Sequence, residues 1–124
     1  METKKLRLLI DGEPSKDIYF VGEVELIRIE ENFGIKRNIF GVGISGYGEE
    51  SLEFFTSKQY SRDRMNCRIV YNDDGKEVVA LNETVWVGEK MSATYCPGEV
   101  STFSCTLEFE GKALQTSGPL WRQS

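Results

Sequence analysis

The stretch Thr102-Phe103-Ser104-Cys105-Thr106-Leu107-Glu108-Phe109 has the clearest periodic pattern in the chain. Its apolar residues stand at every second position, and polar residues fill the positions between them. Successive side chains of a β-strand point to opposite faces, so this pattern predicts a strand with one buried face and one hydrated face. We place that strand between Val100 and Gly111.

Similar segments, rich in β-branched and aromatic residues, recur upstream with Gly, Asn or Asp between them. This arrangement is typical of an antiparallel β-sandwich or barrel, here with seven or eight strands. We expect one domain over residues 1–124 with a polar C-terminal tail. The other predicted strands are Leu6 to Ile10, Ile18 to Glu30, Asn38 to Ser45, Ser51 to Thr56, Met65 to Tyr71, Glu77 to Leu81 and Thr84 to Thr94.

Two sequences predict tight turns between strands. Asp11-Gly12-Glu13-Pro14 and Asn72-Asp73-Asp74-Gly75 contain the residues that adopt the backbone angles of turns, and the second is the best hairpin signal. Asp73 and Asp74 alone are too few oxygen ligands for a calcium loop.

Two segments depart from regular alternation. The apolar phase shifts within Ile18 to Glu30, which predicts a β-bulge or a long bent strand. Ser57 to Arg64 shows no alternation, and a short helix and an irregular crossing loop both remain open for it.

The residues that enzymes use most often are scarce in this chain. It has no histidine, the commonest general base near neutral pH and the commonest metal ligand. Glu49, Glu50 and Glu53 could supply the carboxylate pair that glycoside hydrolysis needs, but we interpret them as solvated side chains. The glycines between residues 41 and 48 lack the following motif of a nucleotide-binding loop. We therefore predict no catalytic residue, no metal and no cofactor.

Charge and cysteine content limit the partners and the compartment. Fifteen Lys and Arg against twenty Asp and Glu give a net charge of -5, which disfavours sequence-independent binding of nucleic acid. Cys67, Cys96 and Cys105 match no metal or redox spacing and are predicted to be buried free thiols of a reducing compartment. The apolar run before Asp11 is too short for a signal peptide or a membrane span, so no membrane association is expected.

Several motifs carry a resemblance to a known family. They are Trp86-Val87-Gly88 through Ser92-Ala93-Thr94, then Pro97-Gly98-Glu99-Val100 leading through Thr102-Phe103-Ser104 to Gly111-Lys112-Ala113-Leu114. This series resembles the C-terminal hairpin of tail tube proteins from tailed bacteriophages. Ser45-Gly46-Tyr47-Gly48 through Leu52 to Ser57 is similar to the mid-chain strand of that family, which a short segment and the strand Cys67 to Tyr71 follow.

The resemblance implies a β-sandwich or barrel protomer that forms hexameric rings, stacked into a hollow tube. DNA would pass through the tube without specific binding, since an acidic lumen repels phosphate. The partners would be further copies of the chain, with sheath, tape-measure and tail-tip proteins. The location would be the virion tail, after synthesis in the host bacterial cytoplasm. Related needle tubes of bacterial secretion systems would share the fold.

Two sets of residues are candidates for the roles in such a tube. The candidate lumen-facing residues are Glu23, Glu25, Glu30, Glu31 and Glu50. The candidate inter-subunit residues are Phe33, Ile35, Phe40, Tyr47 and Trp121. Phe33 to Gly48 and Gln115 to Ser124 are the segments expected to reach the next ring, and Tyr60 is a further aromatic side chain suited to anchoring a partner.

Other functions remain open at this stage. A monomeric β-domain binding module, such as a phage inhibitor of a bacterial defence protein, would use the acidic surface to mimic nucleic acid. Another tail or neck adaptor protein of similar build would share the strand pattern. A carbohydrate-directed module or hydrolase would need a cleft with aromatic residues and two close carboxylates.

Overall fold

The alternating patterns produce an all-β protein, which confirms the predicted fold class. A computed structural model describes residues 5–15, 17–95, 97 and 102–111. Within these ranges the strands form one antiparallel sheet of order β2-β1-β5-β6-β7-β4-β3. The elements are β1 (Arg7–Ile10), β2 (Glu13–Pro14), β3 (Ile18–Asn32), β4 (Ile35–Tyr47), α1 (Glu49–Ser61), β5 (Met65–Asp73), β6 (Lys76–Thr94) and β7 (Thr102–Glu110).

Strand β6 changes partners along its length. Its first half pairs with β5 up to Val85, which lies opposite Met65. Its second half pairs with β7 from Trp86, which lies opposite Glu108. The two strands predicted in this region are therefore one, because Asn82 and its neighbours continue the ladder and no turn residue interrupts it.

Strands β3 and β4 form a long hairpin that ends in the turn Phe33-Gly34. Both turn residues have positive φ, 53° and 79°, as the common two-residue hairpin turn requires. The pairing shifts register three times, the last between Leu26 and Arg28, which confirms the predicted irregularity of this strand. β4 lies inside the sheet between β3 and β7, whereas β3 is its last strand.

The two turns predicted from composition are confirmed. Asp11 and Gly12 have φ of 52° and 85°, and Asp74 and Gly75 have φ of 55° and 80°. Asp11 also holds the neighbouring strand in place, because its carboxylate accepts a hydrogen bond of 3.0 Å from the backbone N–H of Asn66.

The strand predicted over Ser51 to Thr56 is wrong, because these residues form the first half of α1. Leu52 and Phe55 are one helical turn apart and both are buried, and the ring of Phe55 packs 5.7 Å from that of Phe103. The helix also covers part of the segment left open between Ser57 and Arg64. It ends at Arg62, whose backbone N–H donates to the carbonyl of Lys58 at 2.8 Å.

The core lies on the face of the sheet that α1 covers. All four apolar positions of β7 are buried, as their period predicted. Glu108 is the exception on the opposite face, since it is only 8% exposed. Cys67 and Cys105 are buried free thiols, as predicted, and desolvation raises the pKa of each to about 12. Cys96 lies outside the described residues.

Candidate functional site

The β3–β4 hairpin carries an unusual amount of exposed apolar surface. Phe33 at its tip is 96% exposed, and Ile35 beside it is also exposed. Large exposed apolar patches on soluble proteins mark sites of protein interaction. We call the following set the hairpin surface: Tyr19, Phe20, Leu26, Ile27, Ile29, Phe33 and Ile35.

The backbone of β3 adds a second means of association. β3 ends the sheet, and no strand among the described residues pairs with its outer side. Its length of 15 residues is long for an edge strand. A long edge strand with an unpaired outer side can pair with a strand of another chain.

The predicted inter-subunit residues divide into four groups. Phe33 and Ile35 lie on the hairpin surface. Tyr47 lies at the hairpin base, partly exposed, where its ring stacks on that of Tyr19 at 5.6 Å. Phe40 is not available to a partner, because it is 3% exposed and packs against Phe109 in the core. Trp121 and the tail from Gln115 lie outside the described residues.

The predicted lumen-facing carboxylates also divide. Glu23, Glu25 and Glu31 are exposed along β3. Glu30 is neutralised by two guanidinium groups, that of Arg28 at 2.8 Å and that of Arg37 at 3.5 Å. Glu50 lies in the first turn of α1 rather than on the hairpin.

A second feature is a cleft of about 1070 Å³ between the end of α1, β6, β7 and the middle of β3. We call it the Trp86 cleft. Its lining residues are Ile27, Arg28, Glu30, Gln59, Tyr60, Arg62, Arg64, Trp86, Val87, Gly88, Glu89, Lys90, Thr106 and Glu108.

The buried carboxylate of Glu108 organises the floor of the Trp86 cleft. It accepts a hydrogen bond from Nε1 of Trp86 at 3.1 Å and pairs with Nη1 of Arg28 at 3.1 Å. The hydrogen bond to Glu30, with a further contribution from Glu108, raises the pKa of the Arg28 guanidinium. These contacts satisfy a charge that would otherwise be costly to bury.

The end of α1 closes one side of the Trp86 cleft. Nε2 of Gln59 donates to the backbone carbonyls of Gly88 at 2.7 Å and Glu89 at 3.0 Å. The guanidinium of Arg64 lies over the indole ring of Trp86, 4.7 Å from its centroid. Tyr60 is 91% exposed at the rim. The helix end, β6 and the indole are thereby held together.

Sequence reasoning did not find the Trp86 cleft. Its residues come from four separate elements, and their proximity depends on the register of β6 against β7. Two signals were present in the sequence. An acidic residue, Glu108, stands in a strand with many apolar residues, and Gly88 follows Trp86 by two residues in another strand.

The carboxylates considered for glycoside hydrolysis lie away from the Trp86 cleft. The described residues contain no group of three or more His, Cys, Asp and Glu side chains placed to hold a metal ion. Glu49, Glu50 and Glu53 are exposed on α1 and do not line the Trp86 cleft. Nor does the described part of the chain contain a helix with the length and hydropathy needed to cross a membrane.

Comparison with known proteins gives no relative for this arrangement: no family model, curated protein or solved structure matches the chain.

Proposed function

We propose that the chain is a virion structural protein, a tail-tube subunit that assembles with copies of itself into stacked rings. The observation that carries this proposal is the hairpin surface on an unpaired edge strand. Burying a large apolar side chain contributes up to about 1.5–3 kcal/mol, so burial of the hairpin surface against another copy would favour association.

The shape of the hairpin suits contact between rings. β3 and β4 place Phe33 and Ile35 at the far end of a two-stranded ribbon, away from the core of the protomer. The resemblance to tail tube proteins implies a reaching segment of this kind. It also implies six subunits in a ring, with sheath, tape-measure and tail-tip proteins as further partners.

The charge balance suits passage of DNA. The net charge of -5 is unfavourable for holding a polyanion. If Glu23, Glu25 and Glu31 face the lumen, their carboxylates repel phosphate groups and the DNA slides without being bound.

The first test is the mass of the purified protein by light scattering over a concentration series, with negative-stain electron microscopy of the same samples. We expect rings or tubes of uniform diameter. A monomer of 14.1 kDa at every concentration would contradict the proposal and would favour the monomeric binding module.

A pair of variants connects the assembly to the hairpin. Phe33→Ser combined with Ile35→Thr removes two exposed apolar side chains and should leave a folded monomer. Val79→Thr changes an exposed apolar residue on β6, outside the hairpin surface, and should assemble as the unaltered protein does. Equal assembly of both variants would show that the hairpin surface is not part of the interface.

A further inference from the structure

The two ends of α1 carry opposite charges that lack partners. Glu49, Glu50 and Glu53 are exposed in the first half of the helix. Glu53 follows Glu50 by three residues and Glu49 by four, so its side chain is close to both of theirs. None of them forms an ion pair with any residue that the structure describes. We call these three residues the acidic helix end.

At the other end of α1, Arg62 and Arg64 line the Trp86 cleft together with Lys90. These three cations also form no ion pair within the described part of the chain. Glu30 and Glu108 are already paired with Arg28, which leaves Glu89 as the one lining carboxylate without an ion pair there. The lining of the Trp86 cleft contains four cations, Arg28, Arg62, Arg64 and Lys90, against three carboxylates. It therefore has an excess of one positive charge in a protein that is acidic overall.

These charges cannot neutralise one another within one molecule. The helix has 13 residues, which at about 1.5 Å per residue gives a length of about 20 Å. Screening in physiological salt acts over about 8 Å. The two patches are thus electrically independent in the monomer, although they have complementary charge.

The helix dipole explains only part of this arrangement. It favours acidic residues in the first turn and basic residues in the last turn. It does not explain Lys90, which comes from β6, or Arg64, which lies beyond the helix and is held over the ring of Trp86.

We propose that the Trp86 cleft receives the acidic helix end of a second copy of this chain. Arg62, Arg64 and Lys90 would pair with Glu49, Glu50 and Glu53 of the neighbouring copy. The inference rests on the self-assembly proposed above and names a second contact within it. Since the two surfaces differ, the contact is head-to-tail, and such contacts generate closed rings or open filaments.

The test uses two charge-reversed proteins. The first carries Arg62→Glu and Arg64→Glu, so its cleft becomes acidic. The second carries Glu50→Lys and Glu53→Lys, so its helix end becomes basic. We expect each protein alone to need about tenfold or more higher concentration to assemble, because like charges then meet at every contact.

Mixing the two proteins in equal amounts should restore assembly. The basic helix end of the second protein fits the acidic cleft of the first, and the unaltered surfaces of the two also match. Subunits of the two proteins would then alternate. Light scattering and negative-stain microscopy would show that assembly is restored. Lys76→Glu with Lys5→Glu is the control, since it reverses two exposed cations outside the Trp86 cleft and should assemble unaided.

The outcomes separate the two proposals. If the unaltered protein assembles and either reversed protein assembles equally well alone, the head-to-tail contact is wrong and the tail-tube proposal stands. Failure of the mixture to assemble, with both proteins folded by circular dichroism, also overturns the contact. If the unaltered protein stays monomeric at every concentration, both proposals fail.

Discussion

A β-carbon at Gly88 would lie 2.7 Å from Oε2 of Glu108, too close for any side chain to be tolerated there without movement. Glycine is required at this position because there is no room for a β-carbon, and not because of an unusual φ. Because Glu108 in turn holds Trp86 and Arg28, the smallest residue in β6 determines the geometry of the Trp86 cleft.

Gly88→Ala should therefore destabilise the protein. Displacing Glu108 takes the acceptor from Nε1 of Trp86 and leaves Arg28 with Glu30 alone. The unsatisfied indole N–H should cost about 1–3 kcal/mol in the free energy of unfolding. Urea denaturation measures this. Gly43→Ala is the matched control, because a β-carbon at that strand glycine meets nothing within 4 Å. Equal stability of the two variants would contradict the role of Gly88.

The buried thiols predict a loss of stability in alkali. Desolvation raises the pKa of Cys67 and Cys105 from the ordinary thiol value of 9.0 to about 12. Between these pH values the unfolded chain has lost the thiol protons and the folded chain has kept them. The free energy of unfolding should fall by about 1.4 kcal/mol per pH unit for each thiol in this range. Below pH 9 both thiols are protonated in the folded and unfolded states, so they should add no pH dependence.

Urea titrations at several pH values measure this slope, and Cys67→Ala should make it shallower by one thiol. The same burial should protect both thiols from a thiol reagent at neutral pH until the protein unfolds. Rapid modification of the folded protein at Cys67 or Cys105 would contradict the packing of β5 and β7.

Glu83 on β6 should limit stability at neutral pH. Desolvation raises the pKa of its carboxyl group above the ordinary value of 4.5. The folded state therefore holds this proton more tightly than the unfolded state, and stability falls as the pH rises from 4.5 through the raised pKa. Glu83→Gln should show a slightly higher melting temperature at pH 7 and no gain at pH 3. Glu13→Gln, at an exposed carboxylate of β2, is the control and should change neither value.

Charge reversal along β3 tests the proposed lumen. Glu23→Lys with Glu25→Lys and Glu31→Lys replaces three exposed carboxylates by cations that attract phosphate. Tubes should still form, and DNA delivery by particles that carry the variant should slow. Reversal at the exposed Glu13 of β2 provides the comparison. Intact tubes with undiminished DNA delivery would contradict the proposal that these carboxylates repel phosphate in the lumen.

The strands were predictable where the sequence fits the two-residue repeat of a strand and not the 3.6-residue repeat of a helix. The four apolar residues of β7 alternate and are all buried, and Asp74-Gly75 forms the turn that its residues favour. The helix was missed because Leu52 and Phe54 alternate as in a strand, whereas Leu52 and Phe55 are spaced as in a helix. Packing of Phe55 on Phe103 decides between the two, and no local pattern contains that contact.

The candidate site was less predictable than the fold. Exposure of Phe33 follows from its place in a turn, but burial of Phe40 depends on which face of β4 packs on the core. The Trp86 cleft depends on both registers of β6 and on where α1 ends. Such information is distributed over the chain, so a reading of neighbouring residues does not reveal it.

The change of partners along β6 has a consequence for the order of folding. The β5–β6 hairpin joins neighbours across the turn Asp74-Gly75, so its loop closes at little entropic cost. Pairing of β4 with β7 brings residues 39 and 110 together and closes a far longer loop. Contacts between distant residues form slowly. Pairing of β6 with β7 also joins residues close in the chain, such as Thr94 and Thr102. We therefore expect both pairings of β6 to form early and the docking of β4 on β7 to set the rate of folding.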